Sequence, residues 1–299
     1  MLGWRFAVSA VVIPALLLLF RWDAHSGFAA PVLLVFCLGL SLRSAWEAVE
    51  LLKCRNMRPR FEAAAVCCAA VILSAWGHCR IVPVPEQKSV ALLVSLGCIG
   101  AAFVFSFLLL LTLEAVRFRE AGAAAEALGT NMLCVLYAGG LPAVLAQMRW
   151  FPSAEYPYYV IGSVIIAVKG GDVMAYTFGR LWGNRKMIPR LSPGKTWMGG
   201  LGAVVGSSLG AWLWLTFGGR LFAAQPHAGE LRNVLAYGAV LGIAGLVGDL
   251  CESLLKRDVG KKDSAALMPG FGGLLDLLDS PLFAGPLALA WWILSPPGG

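Results

Sequence analysis

Apolar residues fall in nine blocks along this chain, divided by short polar stretches: Phe6–Phe20, Ala29–Leu42, Ala63–Trp76, Val90–Leu113, Asn131–Met148, Tyr158–Phe178, Gly199–Phe217, Asn233–Leu255 and Leu282–Leu294. A helix needs about 20 apolar residues to cross a bilayer, and these blocks approach or reach that length. The pattern predicts an all-α polytopic integral membrane protein with about nine transmembrane helices. The gaps are too short for a large soluble domain. The first block follows Arg5 as the core of a signal peptide would, but no small-x-small cleavage site follows directly in RWDAHSG, so a retained helix is expected.

Composition agrees: 59% of the 299 residues are hydrophobic and 14% charged, where soluble domains carry roughly 25% charge. The net charge of +7 lies in the loops between blocks, which points to anionic lipid headgroups and not to nucleic acid. Counted on alternate sides, Lys and Arg number 17 against six when the N-terminus is placed inside. The expected topology therefore has a cytoplasmic N-terminus, an outer C-terminus and a place in the inner (cytoplasmic) membrane of the cell. The eight cysteines form no C-x-x-C pair and lie mostly within apolar blocks, so they are expected to be buried structural thiols.

Two regions are expected. Residues 1–128 offer little chemistry and are read as membrane helices serving a dimer contact or lipid access. Their basic stretch Arg43–Arg60 is expected to form an interfacial helix ending near Pro59, or simply to orient the chain. Residues 129–299 are read as the catalytic membrane domain. Within them, GGLGAVVGSSLG at 199–210 carries the small-x-x-x-small spacing that lets helices pack closely.

The charged residues of this second region are set in a pattern. In the sixth block Lys169, Asp172, Tyr176 and Arg180 share one helix face, and an acid within a span is by default a functional candidate. The following loop, GRLWGNRKMIPRLSPGKTWMGG, places five cations in sixteen residues with no acid among them. Its Gly194-Lys195-Thr196 is not a P-loop, because position 189 is Pro and no strand is expected before it. Lys195 can still bind phosphate as a point charge.

Residues 248–280 (GDLCESLLKRDVGKKDSAALMPGFGGLLDLLDS) hold six of the chain's 17 acidic residues. Asp249, Glu252, Ser253 and Lys256 occupy one helical face, and Asp276 and Asp279 stand three apart among apolar neighbours. Clustered carboxylates suit Mg²⁺, which keeps several waters and takes substrate phosphates as further ligands.

At these residues the chain resembles the phosphatidate cytidylyltransferases, or CDP-diacylglycerol synthases. Ser253, Lys256, Arg257, Lys262, Asp263, Ala265, Pro269, Gly272, Gly273, Asp276 and Asp279 fall in register with that family's C-terminal signature. Gly248-Asp249-Leu250 with Glu252, the stretch Asp172–Gly183, and Ser192-Pro193-x-Lys195-Thr196-Trp197 match its further motifs. The likeness covers roughly residues 160–285. It departs from the family at Phe271, where His is usual, at Leu277 for Arg, at Met198 for Glu, and at Val173 for a hydroxyl residue.

The resemblance implies a nucleotidyltransferase of phospholipid biosynthesis that moves a cytidylyl group from CTP to phosphatidic acid, giving CDP-diacylglycerol and pyrophosphate. It implies Mg²⁺, with room for a second cation, held by Asp172, Asp249, Asp276 and Asp279. Catalytic roles are expected for Asp249, Lys256, Arg257, Lys262 and Asp263. Substrate is expected at Ser192, Lys195, Thr196, Ser253, Gly272 and Gly273. The expected partners are CTP, phosphatidic acid, membrane lipids and a second copy of the chain, with no nucleic acid. The alternatives are a CTP-dependent lipid kinase, a cytidylyltransferase for another lipid, and a transporter using its intramembrane charges.

Overall fold

The computed structural model describes residues 2–55, 57–77, 79, 88–118, 121–151, 158–218, 229–265, 267 and 272–297. Its helices are α1 (Leu2–His25), α2 (Pro31–Lys53), α3 (Phe61–Ala75), α4 (Lys88–Val116), α5 (Ala124–Cys134), α6 (Leu141–Gln147), α7 (Tyr159–Trp182), α8 (Trp197–Phe217), α9 (Leu231–Asp258) and α10 (Leu275–Leu294). Among the described residues seven helical stretches are long and apolar enough to cross a membrane; α5 and α6 count as one of them, Ala124–Trp150. The 15-residue α3 is apolar but shorter. The protein is an all-α polytopic membrane protein with one small β element.

Several boundaries differ from the sequence pattern. The basic stretch after the second apolar block is not a separate interfacial helix as far as Lys53: α2 runs unbroken through it. Charged residues did not end the helix because Arg43 and Glu47 sit four apart and pair at 3.0 Å across one turn. α10 likewise starts seven residues before its apolar block and so takes in Asp276 and Asp279. Between α5 and α6, residues Val135–Gly140 form a π-helical turn in which the Leu141 amide reaches back to the Leu136 carbonyl. This widened turn precedes Pro142, which has no amide to continue the ladder.

The described chain forms two compact units, Met1–Trp150 with Asp258–Leu277, and Phe151–Arg257 with Leu278–Gly299. In the first, a buried acid ties helices together. Asp23 accepts from the Leu33 amide at 2.9 Å and lies 3.4 Å from the Arg149 guanidinium. In the second unit glycines set the spacing between helices. A side chain at Gly206 of α8 would meet the Gly170 carbonyl of α7 at 2.5 Å, and one at Gly202 would meet the Met174 carbonyl at 2.5 Å. The small-x-x-x-small stretch is therefore a backbone-to-backbone contact.

The basic loop after α7 holds the β element. Strands β1 (Lys186–Ile188) and β2 (Ser192–Thr196) pair antiparallel, with Lys186 opposite Thr196 and Ile188 opposite Ser192. Gly194, Lys195 and Thr196 thus lie in a strand that runs directly into α8.

Candidate active site

The second unit gathers its charges where α9, α10 and the hairpin meet. Gly248 makes that meeting close: a side chain there would sit 2.6 Å from Phe283 Cβ and 2.9 Å from the Asp279 carbonyl of α10. The next residue is Asp249. One carboxylate oxygen from each of Asp249, Glu252 and Asp279 lies within 4.8 Å of the other two. Glu252 and Asp279 are buried and Asp249 is partly exposed.

Cations come to the same carboxylates from two directions. Lys195, carried by β2, places Nζ 2.8 Å from Asp249 Oδ2 and 3.3 Å from the Leu246 carbonyl. Lys256, one turn beyond Glu252 on α9, places Nζ 2.6 Å from its Oε2, and both side chains are buried. Ser253 Oγ donates to Asp249 Oδ1 at 3.4 Å, and the Ser280 amide donates to Asp279 Oδ1 at 2.5 Å. Lys169 and Asp172 of α7 pair at 3.0 Å, half-exposed. Arg257 is exposed and its Nε donates to the Leu191 carbonyl in the hairpin turn.

The hairpin is what positions Lys195. Thr196 ends the strand and caps α8: its Oγ1 accepts from the Gly199 amide at 3.0 Å, one of the amides a helix start leaves without a partner. The Trp197 amide bonds to the Arg185 carbonyl and closes the hairpin base. Thr196 is buried, so this cap is its visible work, and Ser192 sits partly exposed at the start of β2.

The rest of the expected site residues lie in the first unit, on the segment between α9 and α10 and in the first turn of α10. Lys262 and Asp263 are exposed. Asp276, in the first turn of α10, accepts at Oδ2 from the Ser264 amide (2.9 Å), the Ser264 hydroxyl (2.8 Å) and the Gly273 amide (2.7 Å). Gly272 has φ +91°, a conformation that side chains rarely adopt, and a Cβ there would run into the Asp276 carboxylate. Pro269 and Phe271 lie outside the described residues.

Two acids were not expected as site residues. Glu252 stands three after Asp249, so the i, i+3 spacing that put both on one face was already the signal for a shared role. Glu47 is fully buried on α2 and accepts at Oε2 from the Leu275 amide at 3.0 Å and the Ser264 hydroxyl at 3.3 Å. In the sequence it was marked only as one of two acids, with Glu50, near the end of an apolar helix.

Three carboxylates with a shared focus form an all-oxygen donor set, which suits a hard divalent cation such as Mg²⁺. Lysines paired to Asp249 and Glu252 offset two of the three negative charges, so the centre can take a polyanion without a large excess of negative charge.

Comparison with known proteins agrees in kind. The family model described as "Cytidylyltransferase family" matches residues 4–294. A phosphatidate cytidylyltransferase of Chlamydia pneumoniae is 34% identical over 172 residues, 56% of this chain and 54% of its own. That of Mycobacterium leprae (strain TN) is 40% identical over 131 residues, 44% of this chain and 38% of its own. An uncharacterized protein of Escherichia coli (strain K12), YnbB, is 38% identical over 124 residues, 42% of this chain and 39% of its own. The matched stretches thus span about half or less of these relatives' length.

Proposed function

The chain belongs to the cytidylyltransferase family, and we propose that it transfers a cytidylyl group from CTP to phosphatidic acid, releasing CDP-diacylglycerol and pyrophosphate. The observation that carries this reading is the focus of Asp249, Glu252 and Asp279, with Lys195 paired to Asp249 and Lys256 to Glu252. In the reaction a lipid phosphate oxygen forms a bond to the α-phosphorus of CTP while the bond from that phosphorus to the β-phosphate bridging oxygen breaks. Both reactants are anions, so the barrier is dominated by their repulsion and by charge on the leaving pyrophosphate.

Asp249, Glu252 and Asp279 would hold Mg²⁺, which when bound offsets charge on the attacking and leaving oxygens. Asp172, paired to Lys169, is assigned to a second cation. Asp276 is assigned to holding its turn, because one of its oxygens already takes three donors. Lys195 and Lys256 would exchange their carboxylate partners for substrate phosphate, with Arg257, Ser253 and Ser192 beside them. The family resemblance supports phosphate binding by Lys262, orientation of that lysine by Asp263, and close backbone passage at Gly272 and Gly273. No general base is required, since the lipid phosphate is already ionised. The chain's loop charges and apolar blocks support a place in the cytoplasmic membrane with the N-terminus inside and about nine spans.

The test uses purified full-length protein in lipid nanodiscs with phosphatidic acid, Mg²⁺ and CTP labelled at either the α or the γ phosphate. Label in lipid from α alone, lost with a chelator, is the expected result. Label from γ would mean a kinase, and label from neither would sink the reading.

A further inference from the structure

The segment between α9 and α10 carries Lys262 and Asp263, and the first unit holds it at both ends. Arg55, just past α2, pairs with Asp258 at its start. At its other end stands Glu47. The Glu47 carboxylate is fully buried, an expensive state for a charge unless donors surround it. Its Oε1 forms an ion pair with the Arg43 guanidinium, 3.0 Å away. Its Oε2 takes the Leu275 amide at 3.0 Å and the Ser264 hydroxyl at 3.3 Å.

Leu275 is the first residue of α10, and its amide has no carbonyl to bond within its own helix. Ser264 follows Asp263 directly and also donates to Asp276. A side chain at Gly273 would collide with both the Glu47 carboxylate and Ser264 Oγ. The chain therefore crosses directly over Glu47, and the two ends of the 264–275 stretch are tied to one oxygen of a helix more than 200 residues earlier.

We propose that Glu47 is a positioning residue: by binding the Leu275 amide and the Ser264 hydroxyl, it fixes the segment that presents Lys262 and Asp263. This rests on the reading of Lys262 as a phosphate-binding group. It gives the otherwise chemically bare α2 a task in turnover. Glu47 touches no substrate and acts through the loop.

Amide exchange over residues 258–277 and CTP-dependent lipid labelling, both on the full-length protein in nanodiscs, test it together. Glu47→Ala should speed exchange at the Ser264 and Leu275 amides and lower kcat by about tenfold or more, the scale of a charged hydrogen bond lost. Glu47→Gln keeps an oxygen for the Leu275 amide and should recover most of the protection and part of kcat. Glu50→Ala, an exposed acid on the same helix, should change neither. Combined with Lys262→Ala, the Glu47→Ala loss should be much less than additive, since both act through one segment of the chain.

Unchanged exchange in Glu47→Ala, or a fully additive double variant, would overturn the inference. So would a lower yield of folded protein with normal kcat. If Glu47→Ala does not fold, Glu47→Asp, one methylene short of its donors, takes its place. Wild-type protein that incorporates no label would sink the cytidylyl reading instead, and the exchange comparison would then decide alone whether Glu47 orders the loop.

Discussion

Two sets of acids in this protein are neutralised in opposite ways. In the second unit Asp249 and Glu252 face lysine ammonium groups, at 2.8 and 2.6 Å. In the first unit Glu47 and Asp276 face mainly backbone amides and a hydroxyl, with Arg43 on one Glu47 oxygen. An ammonium on a flexible stem can leave a carboxylate and turn to a phosphate. An amide belongs to the backbone and cannot leave without moving the chain. The first arrangement is suited to exchange partners in a reaction, and the second to hold a shape.

The comparison breaks most readily at Asp279. Asp279→Asn or Asp249→Asn should lower CTP-dependent lipid labelling by roughly a hundredfold or more, the range seen when a charge-stabilising group is lost, while thermal unfolding changes little. If both variants stay fully active, the second unit's acids are structural after all. Lys256→Met comes next. Taking the ammonium from buried Glu252 should cost about 3–5 kcal/mol of stability, and Mg²⁺ titration of the labelling rate should show tighter metal binding with slower turnover. A variant with unaltered Mg²⁺ dependence would separate Lys256 from the cluster.

Asp276→Asn sharpens the contrast from the other side. Losing a charged acceptor for three donors should cost about 1.5–3 kcal/mol, seen in denaturation, with the Mg²⁺ concentration for half-maximal rate unchanged. A large shift in that concentration would return Asp276 to the metal. Thr196→Ala has the smallest expected effect, about 1 kcal/mol from the lost helix cap. The Michaelis constant for CTP should stay as it was; a marked rise would make the hydroxyl a substrate contact.

The helices were largely legible because membrane spans are written in the composition of each block. Their ends were not. α2 runs on through Arg43–Lys53 because Arg43 and Glu47 pair along the helix. α10 begins early because Asp276 accepts amides at its start. Neither is apolar, so a search for apolar runs stops short of both. The hairpin was missed for a different reason: its strands are short and mostly polar, and their pairing depends on α7 and α8 holding the ends.

The order of residues alone established that Asp249, Glu252 and Lys256 share a helix face, and that Asp276 and Asp279 share another, because 3.6 residues per turn fixes such relations locally. It also marked the glycines. Only the folded chain decided that Gly248 lets α10 come close enough for Asp279 to join Asp249 and Glu252, and that Asp276 is engaged by amides. Glu47, too, became visible only once α2 and the segment before α10 were packed together. Which partner a buried carboxylate finds depends on how nearly two backbones approach, and that distance is set by elements far apart in the chain.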